Sequence, residues 1–328
     1  MPQVSVLMSV YNSADYLSEA IESILSQTFT DFEFLIIDDG SSDESLSILQ
    51  EYARKDQRVQ VIENEQNMGL SLSLNKGLKL ASCELVARMD ADDVSEPKRL
   101  EMQVAFMREN PDVTVCGGAI TVYEEPSQGF SNPVTHEEVM AKNLFSCAFA
   151  HPAVLMRKTQ ILELAGGYDA EELYAEDFGL WARLAISGKA KFANLRESLL
   201  RYRLHPDQPR KSYKDTQLQT AFRIVKKQFS ALGVAIPDED IALLYQVDEK
   251  LSRERIKQCE KWMSELEQAT KNISKEAAEA YGKEIKRRKM GLWRHIERNS
   301  LSNYIMYLQS RMYLSAEKRK SKDLFPRL

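Results

Sequence analysis

The sequence has little cysteine, and its cysteines are not arranged as a metal site or a redox pair. The four are Cys83, Cys116, Cys147 and Cys259; they lie far apart, with no CxxC pair and no histidine at zinc-finger spacing. Neither a zinc site nor a disulfide framework is indicated. The pattern favours a protein of the reducing cytoplasm.

Long apolar runs are also missing. A membrane-spanning helix needs roughly 18 consecutive apolar residues, and no run approaches that length. The N-terminal MPQVSVLMSVYN has no basic segment ahead of a long apolar one. The sequence therefore predicts neither a membrane-spanning segment nor a secretory signal.

Positive charge is not in excess either. The net charge is −5 and the pI is near 5.6, which argues against a nucleic-acid partner bound through overall positive charge. At 328 residues and 43% hydrophobic content, the chain is long enough for one large α/β domain and an appendage.

Short apolar runs rich in Val, Ile and Phe recur in the first half. They are VSVLMSV (4–10), FEFLII (32–37), VQVI (59–62), ELVARM (84–89), VTVCGGAITVY (113–123) and AVLM (153–156). Helical patterns separate the first four, and this alternation predicts an α/β fold with a mainly parallel central sheet. Asn12 or Ser13 is expected to cap the first helix and Ser42 the second.

The composition changes near residue 210. Turn signals become rare, Lys, Glu, Gln and Arg become frequent, and 214–232 and 239–268 have helical patterns. We therefore expect a catalytic domain over 1–210 and a helical C-terminal appendage over 211–328.

The end of the appendage combines basic and aromatic side chains. They are Lys286, Arg287, Arg288, Lys289, Arg294, Arg298, Arg311, Lys318, Arg319, Lys320 and Lys322, interleaved with Trp293, Tyr304, Tyr307 and Tyr313. Such a pattern favours peripheral attachment to an anionic membrane surface. A solvated face of a helical hairpin, or a contact between two copies of the chain, explains it as well.

Acidic residues follow two of the predicted strands. Asp38 and Asp39 end the second strand, and Asp90, Asp92 and Asp93 end the fourth. In an open parallel sheet, ligands bind beyond the carboxyl ends of the strands. The first pair is also explained by turn formation and helix capping. The second cluster is harder to explain in that way, because like charges this close raise one another's pKa unless a cation or hydrogen-bond donors compensate.

Hard divalent cations such as Mn²⁺ or Mg²⁺ prefer oxygen ligands and often bridge a carboxylate to phosphate oxygens. The Asp90-x-Asp92 pair therefore suggests a metal that joins the protein to a nucleotide diphosphate. A further acidic pair, Glu176 and Asp177, opens a predicted helix. Carboxylates favour that position through the helix dipole, and one at the mouth of a cleft is also placed to be a general base.

The ordered set of motifs resembles the bacterial family 2 glycosyltransferases over roughly residues 2–210. The motifs are VSVLMSVYN, ILSQTF, FEFLIIDDGSSD, NMGLSLSLNKGL, ARMDADD, PKRLEMQ, HPAVLMRK, GGYD, AEDFGLWARL and YRLH. The likeness is greatest to enzymes that extend lipooligosaccharide, O-antigen or capsule, often N-acetylglucosaminyl- or galactosyltransferases. It implies a Rossmann-like, A-type glycosyltransferase fold and inverting transfer from a UDP-sugar.

The resemblance also implies roles for individual residues. Asp92 would bind Mn²⁺ or Mg²⁺, with His205 as a second metal-side residue or else a loop histidine without a catalytic part. Asp177 would be the general base, with Glu176 its neighbour. The donor-binding residues would be Ser9, Tyr11, Asp39, Asn67, Arg88 and Asp90, with Asp39 at the uracil ring and Asp90 towards the ribose and sugar.

Three positions are less well defined by the resemblance. Leu74 stands where many relatives have an arginine, so a phosphate contact is not expected there. His151 is expected to be a structural or acceptor-side residue, and Asp93 to cap or support.

The predicted reaction moves a single hexose or N-acetylhexosamine from a UDP-sugar to a hydroxyl of a glycan or lipid-linked oligosaccharide, giving a β-linkage. A nucleotidyltransferase is the enzymatic alternative, but it usually carries a glycine-rich turn near the N-terminus, which VSVLMSVYNSADYL lacks. The third hypothesis is a catalytically inactive, sugar-binding relative of the glycosyltransferases.

Overall fold

The computed structural model describes residues 2–125, 128–205, 213–245 and 251–295, with four further positions at 306, 308, 309 and 313. The chain divides into two compact units. One contains 1–139 and 146–220, and the other contains 140–145 and 221–328. The boundary predicted near residue 210 lies outside the described residues.

The described strands form one mixed sheet. Their bounds are β1 (Val4–Val10), β2 (Phe32–Asp38), β3 (Val59–Glu63), β4 (Leu85–Met89), β5 (Val94–Ser95), β6 (Val115–Val122), β7 (Gly129–Phe130), β8 (Leu155–Arg157) and β9 (Phe192–Tyr202). The order across the sheet is β3-β2-β1-β4-β8-β6-β9-β5, and β7 pairs with β6.

Helices connect and flank these strands. They are α1 (Ala14–Leu25), α2 (Ser45–Lys55), α3 (Leu70–Leu80), α4 (Arg99–Glu109), α5 (His136–Asn143), α6 (Lys158–Ala165), α7 (Glu176–Ile186), α8 (Lys214–Ala231), α9 (Asp238–Tyr245), α10 (Arg253–Thr270) and α11 (Lys275–Trp293). A 3-10 turn covers His151–Ala153.

The first four strands are parallel, as predicted. In the register, Met8 of β1 lies between Ile36 of β2 and Met89 of β4. The strand order reverses at β1, because β2 and β3 lie on one side of it and β4 on the other. Such a reversal leaves a crevice at the carboxyl ends of the strands, where ligands of open sheets bind.

Burial explains why these segments form a central sheet. Every residue of β2 is buried, which is typical of a parallel strand covered on both faces. The apolar face of α1 is buried as well, through Leu17, Ala20, Ile21 and Ile24. The α/β prediction is therefore confirmed.

The predicted cap of the second helix is wrong. α2 begins at Ser45, and the Ser45 amide donates to Oδ1 of Asp43 at 2.9 Å. The amide of Ser42 instead donates to Oδ1 of Asn12 at 2.8 Å. Ser42 therefore joins the ends of β1 and β2 and does not cap a helix. Ser13 immediately precedes α1, but its side chain makes no capping bond.

In the second unit, α10 and α11 pack through buried side chains that include Cys259, Met263 and Ile285. Trp293 is buried, and its indole N–H donates to Oε1 of Glu260 at 2.8 Å. Tyr304, Tyr307 and all the basic residues beyond 295 lie outside the described residues. No helix in the described ranges is long and apolar enough to cross a membrane.

In the first unit, a buried ion pair joins the last turn of α7 to the segment that precedes this helix. The guanidinium of Arg183 contacts the buried carboxylate of Glu172 and donates to the carbonyl oxygens of Ala165 at 3.2 Å and Gly167 at 2.7 Å. Gly179 lies directly against this carboxylate, and a Cβ at that position would overlap it. Glycine is therefore required where α7 passes the pair.

Gly179→Ala should destabilise the protein by about 1–3 kcal/mol, because the added methyl group displaces Glu172 from Arg183. The apparent melting temperature of the full-length variant measures this. Gly282→Ala in α11 is the matched control, since no atom lies within 4 Å of its added Cβ. We expect the control to be as stable as the wild type or more so. Equal melting temperatures for the two variants would contradict the account.

Candidate active site

The carboxyl ends of β1, β2 and β4 bring the predicted donor-site residues to one edge of the sheet. Ser9 is partly buried at the end of β1, Tyr11 just beyond it is 49% exposed, and Asn67 is exposed on the loop before α3. Gly40 adopts φ +74°, and a Cβ there would lie 2.7 Å from the backbone of Gln66. This close approach sets the loop of Asn67 against the end of β2.

Asp39 is buried and holds the same loop. Its Oδ1 accepts from Asn64 Nδ2 at 2.7 Å, from Ser73 Oγ at 2.8 Å and from the Met68 amide at 2.9 Å. Its Oδ2 accepts from the Gly69 amide at 2.9 Å. The carboxylate is therefore fixed by four donors, and it anchors the loop that borders the predicted nucleoside pocket.

Asp90, Asp92 and Asp93 form a cluster in which one oxygen of each lies within 4.8 Å of the others. Oδ2 of Asp92 lies 2.9 Å from Nε2 of His205, so the structure brings together both residues predicted for the metal. Oδ1 of Asp93 accepts from the Arg203 amide at 2.9 Å, while its buried Oδ2 has no hydrogen-bond partner among the described residues.

The electrostatics of this cluster favour a cation. Burial raises the pKa of Asp93 well above its ordinary value, and the charges of Asp90 and Asp92 raise it further. Burial also raises the pKa of Asp90, although Arg88 opposes the shift. Three carboxylate oxygens within 4.8 Å of one another, together with a buried Asp93 oxygen that has no hydrogen-bond partner among the described residues, fit a hard divalent ion such as Mg²⁺ or Mn²⁺.

Arg88, in strand β4, is a buried cation next to the acidic cluster. Its guanidinium forms an ion pair with Asp90 and is 3% exposed. The Arg88 carbonyl oxygen accepts from Nη2 of Arg99 at 2.6 Å, and Nε of Arg99 donates to Gln103 at 3.1 Å. Burial lowers the pKa of Arg99 to about 9, and the charge of Arg88 adds to this effect. Arg99 of the PKRLEMQ motif therefore holds β4 in place just before the acidic cluster.

Asp177 lies in the first turn of α7, partly exposed. Its Oδ1 accepts from the Phe178 amide at 2.7 Å, and its Oδ2 accepts from Sγ of Cys147 at 3.3 Å. Burial raises the pKa of Asp177, and the hydrogen bond from Cys147 opposes the shift. The charge of Asp177 also contributes to the raised pKa of Asp90, so the two carboxylates are near enough to interact electrostatically.

Glu176 differs from its neighbour. Burial raises its pKa to about 7, and the charge of Asp177 adds to the increase. Glu176 therefore keeps its proton to a higher pH than an ordinary glutamate does. A general base must be ionised, and the hydrogen bonds to the carboxylate of Asp177 favour its ionised form. This difference supports Asp177 over Glu176 as the base.

His151 and Leu74 are buried. Nε2 of His151 lies 2.8 Å from the hydroxyl of Tyr168, and burial holds the pKa of His151 well below its usual value. A neutral ring bonded within the fold fits a structural role. Leu74 is fully buried on α3, in keeping with the expectation of no phosphate contact there. The next residue, Asn75, bonds both backbone groups of Tyr168, at 2.7 and 2.8 Å.

Sequence reasoning missed two contributors to the site. Cys147 bonds the carboxylate of Asp177, and no motif marks it. Arg203 lies over the ring of Tyr123, 4.0 Å from its centroid, and its Nε donates to the Asp92 carbonyl oxygen at 2.9 Å. The second was detectable, since Arg203 lies within the YRLH motif beside His205.

Comparisons with known proteins give the family. Residues 5–163 match the model described as "Glycosyl transferase family 2". An uncharacterized glycosyltransferase of Haemophilus influenzae is 32% identical over 240 residues, which cover 70% of this chain and 74% of the relative. The chain therefore belongs to glycosyl transferase family 2 and is a glycosyltransferase, which confirms the resemblance and argues against a nucleotidyltransferase.

Two further comparisons are informative. The Escherichia coli UDP-Gal:alpha-D-GlcNAc-diphosphoundecaprenol beta-1,3-galactosyltransferase is 33% identical over 192 residues, covering 57% of this chain and 69% of that one. The mannosyltransferase PcManGT from Pyrobaculum calidifontis, solved with GDP-Man and Mn²⁺, has a TM-score of 0.57 at 17% identity, covering 98% of this chain and 88% of that one. The chain has the A-type glycosyltransferase fold, as predicted.

Cys147→Ala should move the acid limb of the pH–rate profile to higher pH. The base acts when ionised, so the rate falls as the pH drops through its pKa, and loss of the thiol donor raises that pKa further. The measurement is kcat/KM for UDP release against pH. Cys147→Ser is the matched control, because its hydroxyl can still donate and should keep the limb near that of the wild type. Superimposable profiles for wild type and Cys147→Ala would refute the role of the thiol.

Proposed function

We propose that the protein transfers one hexose or N-acetylhexosamine from a UDP-sugar to a hydroxyl of a glycan or glycolipid, with divalent-cation assistance and inversion at the anomeric carbon. The observation that carries this proposal is the electrostatic interaction between two acidic groups. Asp90, Asp92 and Asp93 form the candidate cation site, and Asp177 in the first turn of α7 is near enough for its charge to raise the pKa of Asp90.

The donor is assigned to the crevice at the ends of β1, β2 and β4. Ser9, Tyr11 and Asp39 contact the nucleoside, and Asn67 lines the pocket from the loop that Asp39 anchors. Asp90, held by Arg88, faces the ribose and the sugar. Arg88 leaves Asp90 partly exposed, with its side chain 30% accessible, so the carboxylate can accept from a sugar hydroxyl.

Asp92 and His205 are the residues proposed to hold Mn²⁺ or Mg²⁺, and the closeness of Asp93 to Asp92 supports including it with them. The cation, when bound, neutralises charge on the leaving diphosphate. The segment that carries His205 is fixed to the same cluster, because the backbone and side chain of Arg203 bond Asp93 and Asp92.

The acceptor side is assigned to α7. Asp177 removes the proton of the acceptor hydroxyl as that oxygen attacks the anomeric carbon, and the bond from this carbon to the UDP oxygen breaks on the opposite face. One displacement inverts the centre, so an α-linked donor gives a β-linked product. The name of the Escherichia coli relative, with its UDP-Gal donor and beta-1,3 linkage, supports this stereochemistry.

The same name includes a diphosphoundecaprenol acceptor, which supports a role in bacterial surface polysaccharide synthesis on a lipid-linked acceptor. Peripheral membrane contact and homodimer formation by 211–328, and a cytoplasmic location, stay predictions. Within the described residues, part of the basic and aromatic set is engaged internally. Arg287 and Arg288 pair with Glu284, and Trp293 is buried.

Asp177→Asn should lower kcat for sugar transfer by about 10²–10⁴-fold, because the amide cannot take the proton. UDP affinity should stay within about twofold, since the substitution keeps the shape of the side chain. The measurement is UDP release from a panel of UDP-sugars with Mn²⁺ or Mg²⁺. The control is Asp112→Asn, which removes an exposed carboxylate paired with Lys191. Wild-type transfer by Asp177→Asn would show that the base is another group.

A further inference from the structure

Two tyrosines stack just before α7. The rings of Tyr174 and Tyr213 have centroids 4.3 Å apart and planes only 9° apart. Tyr213 is 48% exposed, Tyr174 is partly exposed, and the neighbouring Leu173 is 54% exposed. Exposed apolar surface of this kind often marks a place where a ligand or a partner binds.

The backbone of Tyr174 is held in a strained conformation. Its φ is +60°, in the left-handed region that a bulky side chain rarely adopts. Gln217 ties both tyrosines together, because its Nε2 donates to the Tyr174 carbonyl oxygen at 2.7 Å and its amide donates to the Tyr213 carbonyl oxygen at 3.0 Å. Strain of this kind persists where the surroundings enforce it, and it is concentrated at functional sites.

The pair lies on the acceptor side of the proposed reaction. Tyr174 precedes Asp177 by three residues, so their Cα atoms are at most about 11 Å apart. The pKa of the Tyr174 phenol is raised by burial and by the contact with Tyr213, and the charge of Glu176 adds a smaller contribution. Glu176 is therefore near enough to interact with the phenol. A short saccharide can therefore contact the tyrosines while one of its hydroxyls meets Asp177.

We propose that Tyr174 and Tyr213 form the subsite that binds a sugar ring of the acceptor. A pyranose has a face of C–H groups and a rim of hydroxyls, which matches a tyrosine ring with its apolar face and polar tip. The exposed ring of Tyr213 packs on the C–H face, and Tyr174 holds that ring in place. This inference rests on the proposed function and assigns its acceptor site.

The test separates the acceptor from the donor. Full-length wild type and variants are assayed with Mn²⁺ for UDP release from a UDP-sugar without acceptor, and for transfer to octyl β-glycosides of glucose, galactose and N-acetylglucosamine. Binding of the same glycosides is measured by saturation-transfer NMR. Tyr213→Ala removes the exposed ring and Tyr213→Phe keeps it. Ile186→Ala, which truncates a side chain 45% exposed at the other end of α7, is the matched control.

Tyr213→Ala should raise KM for the glycoside by about tenfold, equivalent to roughly 1.4 kcal/mol of lost stacking. Its KM for the donor and its UDP release without acceptor should stay within about twofold of wild type. Tyr213→Phe and Ile186→Ala should behave as wild type. If Tyr213→Ala does not fold, Tyr174→Gly gives the same readout, because glycine removes the ring and adopts φ +60° without strain.

Two results would contradict the proposed subsite. A third would contradict the proposed function of the protein. An unchanged glycoside KM in the ring-removing variants contradicts the inference. So does a wild type that releases UDP but binds none of the glycosides. Absence of UDP release from every UDP-sugar, with or without glycoside, contradicts the proposed function instead.

Discussion

Mutual repulsion among carboxylates is the constraint around which this site is built. Asp90, Asp93, Glu176 and Asp177 all have pKa values raised by burial, and repulsion from neighbouring carboxylates contributes to the shifts of the first three. A fold tolerates such a group of acids when cations and hydrogen-bond donors compensate it. Arg88 supplies one internal cation, and a divalent ion at the cluster would supply more. The proposed cation dependence follows from the same repulsion between carboxylates.

The surrounding structure keeps these acids from moving apart. Arg99 bonds the carbonyl of Arg88 and so fixes β4 just before the cluster. Arg203 directly follows β9 and bonds both Asp92 and Asp93, so it holds the end of β9 beside them. The ion pair of Arg183 with Glu172 joins the last turn of α7 to the segment before the helix. These side chains hold the acidic groups in place through backbone atoms, which is how a preorganised site avoids reorganisation during reaction.

Much of the fold and part of the candidate site could be predicted from the sequence. Strand ends and acidic clusters follow from local patterns, so β1, β2 and β4 and the position of Asp90 were predictable. The contact of Cys147 with Asp177 was not, because 30 residues separate the two and no periodicity links them. The Ser42 prediction failed for a related reason. Its amide is bonded by Asn12 of the preceding strand–helix loop, a long-range partner that local capping preferences do not include.

Calorimetric titration of UDP into the full-length protein, with Mn²⁺ and then with EDTA, tests the central claim most directly. The account predicts that Mn²⁺ raises the affinity for UDP at least about tenfold, roughly 1.4 kcal/mol. It also predicts that Asp92→Asn removes most of this difference, because Asp92 is assigned to the cation. Equal UDP affinity with Mn²⁺ and with EDTA would contradict the assignment of the acidic cluster as a cation-dependent diphosphate site.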